Sequence, residues 1–498
     1  HIGHRPKNVQ ELKSSLSVVR RNLESKTGPT GGKLRNLVIM MRWSDHDDRD
    51  LPTRGDIDIL MNHEGQHPLV PTGSVRDAFL ENSYGKLDLE SVVLDWVPMT
   101  VSESFIANGE SGLTTRFHLA IKEALQYIDS NNLVDFNYFD ADQDGEIDAI
   151  TFLHSGYAAE RGGLDEFGTN EGNRIWSHKW GLVMPFVSND GVRVQKYHVS
   201  TSLWGLSGNT IGRIGVIVHE MGHFLGLPDL YDPDQYGGAG VGSWGVMGNS
   251  WGFDWSQYYP CHGSAYMKAE LGWLDVQSPT QGTNLVSRTT DHNPTHPQIY
   301  KITDGFPDGE YLLIENRQPY GLDSLIPQGG LIVYHIDEAA ALHTEGFPGQ
   351  PGWPLNGNHY AVSVVQADGM YHLEGGLNGL NAGDAGDPFH GAGVNSLTPC
   401  FEGASCRYPN TDSYQNGIVN RTNVHITGIS NSGDVMSFNY QVSDTQLPPT
   451  PPPPPSSSAA TGTAASLMLV GGLSIITNVP VVLGMATTLA AMVVGATI

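Results

Sequence analysis

Cysteine is scarce. Three in 498 residues exclude a disulfide-dense scaffold. Cys400 and Cys406 lie close enough in sequence for one small-loop bridge in a secreted chain, whereas Cys261 has no evident partner. Positive charge is scarce as well: 27 Lys and Arg stand against 53 Asp and Glu, a formal net charge of −26. That balance excludes nucleic acid, whose phosphates need Lys and Arg clusters, and leaves many carboxylates for solubility or for hard cations. There is no internal repeat. No charged-then-apolar signal segment lies near His1, so a leader has been removed or the chain is a fragment. After Asp444 charge vanishes altogether.

What is present divides the chain. Residues 1–35 are polar and basic and read as an N-terminal segment, either the end of a pro-segment or a flexible arm. From NLVIMMRW (36–43), a buried strand by its apolar run, to about residue 285, strand-like and helix-like stretches mix. FHLAIKEALQYI (117–128) has helical spacing, AITFLH (149–154) reads as a strand, and IGRIGVIVHEMGHFLGL (211–227) as one buried helix. Between 286 and 443, short runs such as YLLIENR, GLIVYHID and YAVSVVQAD alternate with Gly, Pro, Asp and Asn, which predicts a β-rich domain. The expected fold class is therefore α+β. Residues 444–466 form a Pro/Ser-rich linker whose PPTPPPPP is a stiff polyproline II spacer. Residues 467–498 are a hydrophobic tail. Small residues, a spacer and a terminal apolar stretch are the pattern of a GPI-anchor signal. The alternative is a membrane segment, weakened by the absence of a following Lys or Arg and by Gly471-Gly472 and Pro480. Either tail predicts membrane tethering and an extracellular or cell-surface location, with which the sequon Asn420-Arg421-Thr422 agrees.

Two stretches match H-E-x-x-H: His63-Glu64-Gly65-Gln66-His67 and His219-Glu220-Met221-Gly222-His223. Two His share one zinc only on a common helix face, which the i, i+4 spacing supplies at about 400° of rotation. Pro68 directly after His67, Gly65 within and the turn residues beyond argue against a helix for the first. The second has an apolar flank, Gly226 for a left-handed stop and Pro228 to prevent continuation. Asp229 then comes round in the place where metzincin-type enzymes carry their third zinc ligand, and zinc accepts a carboxylate oxygen. Glu270 or Glu315 downstream are alternatives for that ligand. GSWGVMGNSWG (242–252) offers Met247 as a structural Met-turn. Zinc with three protein ligands keeps a position open for water and lowers its pKa to about 7. Glu220, off the His face, is the candidate base that passes a proton to the leaving amine. These parts suit amide hydrolysis.

A second metal, calcium, is expected at DADQDGEID (140–148). Asp140, Asp142 and Asp144 fall at loop positions 1, 3 and 5, Gly145 at the sharp turn, Glu146 where a backbone carbonyl ligates, and Asp148 at position 9. Position 12 is Thr151 in place of the bidentate Glu, and a strand follows where an EF-hand has a helix. In GDAGDPF (383–389), Asp384 and Asp387 suit a turn or a calcium site equally.

With these motifs in order, the chain resembles the immune-inhibitor-A-type secreted zinc metalloproteases. PTGSVRDAFLENSYGKLDL, DADQDGEIDAITFLHSGYAAE, IWSHKW, HEMGHFLGLPDLYD, GSWGVMGNSW, SAYMKAELGWL, YLLIENRQ, GLIVYHIDE and VVQADG carry the similarity across roughly residues 36–440. The resemblance implies a zincin-like catalytic domain over 36–285 with an active-site helix, and a secreted, calcium-binding zinc endopeptidase, often made as a zymogen. His219 and His223 would be ligands and Glu220 the base. A membrane-type tail departs from the bacterial relatives. The alternative from another class is a catalytically inactive, calcium-stabilised surface adhesion or binding module; the intact His219, Glu220 and His223 speak for the enzyme, acting on protein or peptide substrates.

Overall fold

Asn36 to Met41 are all buried, so the strand they form has neighbours on both edges and cover on both faces. This strand, β1 (Gly32–Arg42), is an inner strand of a six-stranded sheet with β2 (Leu87–Val93), β3 (Val97–Pro98), β4 (Ala149–His154), β5 (His178–Val187) and β6 (Arg193–Thr201). The order is β2-β1-β4-β6-β5, with β3 also on β1. All pairs are parallel except β5–β6, so the edge strand β5 runs against the rest. The computed structural model describes residues 30–231, 238–340, 353, 359–374, 381–400 and 408–443. The N-terminal segment up to residue 29, Cys406, the linker and the hydrophobic tail lie outside them. Among the described residues no helix is long and apolar enough to cross a membrane.

Parallel pairing requires crossovers, and helices supply them. Arg54–Asn62 and Val75–Asn82 both start on capping boxes, Thr53 with Asp56 and Ser74 with Asp77. The helix Phe117–Ser130 buries Phe117, Ala120, Ile121, Ala124, Leu125 and Ile128, the face its spacing predicts. The single helix expected over 211–227 is shorter, Ile214–Phe224. Ile211 is instead bridged to Leu203, and Gly226 (φ 88°) leaves the helical region. It packs against β5 and β6.

Beyond residue 275 the described regular structure is mainly strand. β7 (Val276–Gln277), β9 (Ile299–Ile302), β10 (Glu310–Arg317), β11 (Gly330–Asp337) and β12 (Val362–Val364) form a five-stranded sheet; β8 (Gly282–Ser287), β13 (Val424–Thr427) and β14 (Val435–Val442) form a three-stranded one. Period-two alternation on β10 divides the packing. Tyr311 and Leu313 join the core that also holds β1 and the 214–224 helix, while Leu312 and Ile314 join a second core with Met436, Phe438 and Tyr440 of β14. The main core thus runs unbroken across residue 285.

At the C-terminal ends of β1 and β4, His46 and His154 flank Glu103 at 3.4 and 3.5 Å, all buried. These are contacts of neutral groups. Burial pushes Glu103 up to about 8 and both imidazoles down to about 3. A carboxyl whose pKa is higher folded than unfolded binds protons in the native state, so its contribution falls as pH rises from about 4.5 to about 8. Glu103→Gln is therefore expected to flatten the decline of stability across that window, measured by urea unfolding at pH 5 and pH 8.5. An unchanged pH slope would contradict the assignment.

Candidate metal centre

The 214–224 helix is buried along almost its whole length, including His219 and Glu220. Its end is a Schellman turn: Leu227 N donates to Gly222 O (3.2 Å) and Gly226 N to His223 O (3.1 Å). That turn carries the chain back past the helix face bearing both imidazoles, whose ring centroids are 4.9 Å apart. Asp229 Oδ1 lies 3.1 Å from His219 Nε2 and 3.3 Å from His223 Nε2.

The other nitrogen of each ring is occupied. His219 Nδ1 bonds the carbonyl of Val246 (3.0 Å), and His223 Nδ1 that of Leu227 (2.7 Å). A carbonyl can only accept, so each Nδ1 carries the proton and both Nε2 atoms turn toward the same point as Asp229. Asp229 Oδ1 is buried without a hydrogen-bond partner of its own. Two imidazole nitrogens and an orphaned carboxylate oxygen within 4.8 Å of one another are a donor set that fits zinc.

Without a cation the cluster is a charge problem. Burial opposes a charged His219, yet Asp229 and Glu220 outweigh it and push the imidazole up to about 9. Burial also opposes the Asp229 carboxylate, but the two imidazoles hold it well below its usual range. Glu220 is pushed up to about 7 by burial, which the imidazoles only partly offset.

Met247 sits directly beneath the helix. A Cβ on Gly222 would come within 2.6 Å of its sulfur, so a side chain there would have to displace Met247. The carbonyl of Met247 also accepts from Leu230 N at 2.9 Å, tying the turn to the segment that carries Asp229.

The first H-E-x-x-H match lies outside a helix. The helix Arg54–Asn62 ends before it, with His63 as a non-helical cap. His63 and His67 are 5.0 Å apart, nearly the spacing of the other pair, but Glu64 is exposed and paired with Arg76 at 2.7 Å. Among the described residues no third ligand joins those two His.

The alternatives to Asp229 are elsewhere. Glu270 is exposed at the end of the helix Ala265–Glu270. Glu315 is wholly buried between Lys268 (2.7 Å) and Arg317 (3.0 Å), and these cations hold it down at about 2 against the effect of burial.

Asp140, Asp142 and Asp144 do converge. Their carboxylates accept backbone N–H groups of residues 144–146, which shapes the loop. Asp148 accepts from Ala141 N at 2.9 Å through Oδ2, while its buried Oδ1 has no partner. Glu146 is bridged to Arg193, and Thr151 is inside β4. Asp384 clusters with Asp368 and His372, but Asp387 does not: it is buried and accepts from the Trp244 indole at 2.8 Å. Cys400 is disulfide-bonded and Cys261 is a free, buried thiol.

Sequence reasoning missed three contributors: the carbonyls of Val246 and Leu227, and the ring of Tyr231, 6.1 Å from that of His219. Backbone acceptors leave no residue-type signature; Tyr231 was visible only as part of HEMGHFLGLPDLYD.

Residues 71–274 match the family model of the immune inhibitor A peptidase M6 catalytic domain. Immune inhibitor A of Bacillus thuringiensis subsp. alesti is 32% identical over 151 residues, 26% of this chain and 20% of that protein. Pre-pro-metalloprotease PrtV of Vibrio cholerae serotype O1 (strain M66-2) is 27% identical over 214 residues, 36% of this chain and 21% of that protein. The chain thus spans about a fifth of the length of these relatives. Residues 71–274, with the second H-E-x-x-H helix inside them, are thus similar to the catalytic domain of the immune inhibitor A peptidase M6 family.

Proposed function

We propose that the chain is a zinc-dependent endopeptidase with a zincin-like catalytic domain. The observation that carries this reading is the convergence of His219 Nε2, His223 Nε2 and Asp229 Oδ1, with both Nδ1 atoms already committed to backbone carbonyls. These three residues would hold the ion. Zinc, when bound, supplies Lewis acidity and lowers the pKa of a water to about 7. Glu220 takes a proton at its carboxylate and returns it to the leaving amine, a role suited to a buried carboxyl raised toward neutrality. The Val246 and Leu227 carbonyls hold the ligand rings in one tautomer.

Protein or peptide substrates fit the surroundings. Strand β5 is an edge next to the motif helix, and Val183 and Met184 on it are exposed. An edge strand can pair with an extended peptide through its outer backbone groups while apolar side chains receive the peptide's own.

Calcium is the second part of the proposal, bound by Asp140, Asp142, Asp144 and Asp148 with the backbone of Glu146. The unpartnered Oδ1 of buried Asp148 supports it. The Cys400 disulfide supports an extracellular setting, and 467–498 is read as a GPI-anchor signal or membrane segment. The inactive binding-module alternative has no observation in its favour.

Glu220→Gln should keep zinc and lose about 10²–10⁴-fold in kcat on casein, the range of general acid–base catalysis, whereas Glu64→Gln stays near wild type. Equal losses in both, or none in Glu220→Gln, would sink the assignment. Asp229→Ala should weaken zinc binding in chelator competition while Glu270→Ala leaves it unchanged; the reverse result would move the third ligand. Calcium should raise the unfolding midpoint of the zinc-loaded protein, by about 2.7 kcal/mol of stability at 100 times Kd. Asp142→Asn with Asp144→Asn should abolish that gain. A midpoint insensitive to calcium in wild type would remove the calcium site.

A further inference from the structure

The turn beneath the metal centre is itself held from the other side. The carbonyl of Trp244 accepts from Arg317 Nη1 at 3.0 Å and lies 2.8 Å from the Tyr334 hydroxyl. The Trp244 indole is fixed on Asp387. Within the turn, Gly248 N bonds Gly245 O (2.8 Å) and Asn249 N bonds Gly245 O (3.1 Å). Two residues beyond Trp244 is Val246, whose carbonyl holds His219 Nδ1 at 3.0 Å.

Arg317 and Tyr334 belong to a fully buried charge cluster on β10 and β11. Arg317 grips Asp323 with two bonds of 2.6 Å and touches Glu315 at 3.0 Å. Glu315 also meets Lys268 at 2.7 Å and the Tyr334 hydroxyl at 2.7 Å. Two cations balance two anions. Such a cluster is a poor way to gain stability, because desolvation of the ions cancels most of their attraction and apolar replacements of the same volume often do as well. What the ions add over an apolar core is direction: the planar guanidinium, locked by two carboxylates, can aim at Trp244 O along one line only.

We propose that Arg317 and Tyr334 are positioning residues for the metal site. By fixing the Trp244 carbonyl they set where the Val246 carbonyl lies, and through it the orientation of His219. The five-stranded sheet is then a working part of the site. This rests on the zinc reading above for its consequence, though not for its geometry.

The test uses the whole chain with Tyr334→Phe. That variant leaves Trp244 O bonded to Arg317, and Glu315 paired with Lys268 and Arg317, so the fold has every charge still matched. Arg317→Lys, which keeps the charge and loses the fork, is the second variant. Thr289→Ala is the control, since Thr289 bonds Glu315 at 3.1 Å without touching Trp244. Two quantities are read: zinc affinity by chelator competition, and exchange protection of the His219 Nδ1 proton by NMR in the zinc-free protein. Tyr334→Phe should lower zinc affinity about tenfold, the lower end of effects seen for groups that orient ligands, and should reduce the Nδ1 protection. Thr289→Ala should leave both unchanged. If both variants lower the melting temperature while affinity and protection stay at wild-type values, or if Thr289→Ala has the same effect as Tyr334→Phe, the role is merely structural and the proposal falls. If wild type binds no zinc but the Nδ1 proton still responds to Tyr334→Phe alone, the positioning stands and the zinc reading is what fails.

Discussion

Two imidazoles aim at one point when each has its outward nitrogen tied down, and that constraint organises the surroundings of residues 219–229. An unrestrained ring presents either nitrogen, and the two tautomers differ little in energy. Here the carbonyls of Val246 and Leu227 remove the choice. One acceptor comes from the turn below the helix and the other from the chain just past its Schellman stop. The stop therefore has two tasks: it satisfies the orphan carbonyls of the helix end and delivers both the Leu227 acceptor and Asp229.

The same requirement explains why small residues crowd this region. Gly222 lets Met247 approach the helix, and Gly226 adopts the left-handed conformation that reverses the chain. A Cβ at Gly222 would meet the Met247 sulfur, and any side chain at Gly226 would be strained by its positive φ. The second sheet contributes from further away. Its β10 strand faces two cores at once, and its charged residues converge on the carbonyl of Trp244. Glu315, a reasonable candidate ligand by residue type, is consumed in that cluster, where two cations keep it ionised and out of reach of a metal.

The paired H-E-x-x-H stretches show how little the pattern decides alone. Their rings are 5.0 and 4.9 Å apart, a difference of no chemical consequence. The distinction lies in what surrounds them: a loop with an exposed Glu64 salt-bridged to Arg76 against a buried helix with Asp229 folded back onto both imidazoles. Pro68 and Gly65 made the first legible as a loop, because backbone restriction is a local property. The Gly226–Pro228 stop made the second legible as a helix end for the same reason.

Local chemistry thus determined a good deal: the strands from apolar runs, the Phe117–Ser130 helix from its periodicity, the aspartates of the 140–148 loop from their alternation, and the pair His219 and His223 from their spacing. The start of the motif helix was not legible, since Ile211 has the right apolar character for a helix but is claimed by a bridge to Leu203, and pairing partners are set by the fold. The approach of Asp229 to both imidazoles while Glu270 and Glu315 lie elsewhere, the two carbonyls that orient the rings, and the contact of Arg317 with Trp244 are features of the tertiary structure. The reason is that a carboxylate is a ligand or a salt-bridge partner according to which charges lie within a few ångströms of it. For Glu315 one such neighbour, Lys268, is 47 positions away, and the Val246 carbonyl that holds His219 is 27 positions from it; no periodicity encodes separations of that kind.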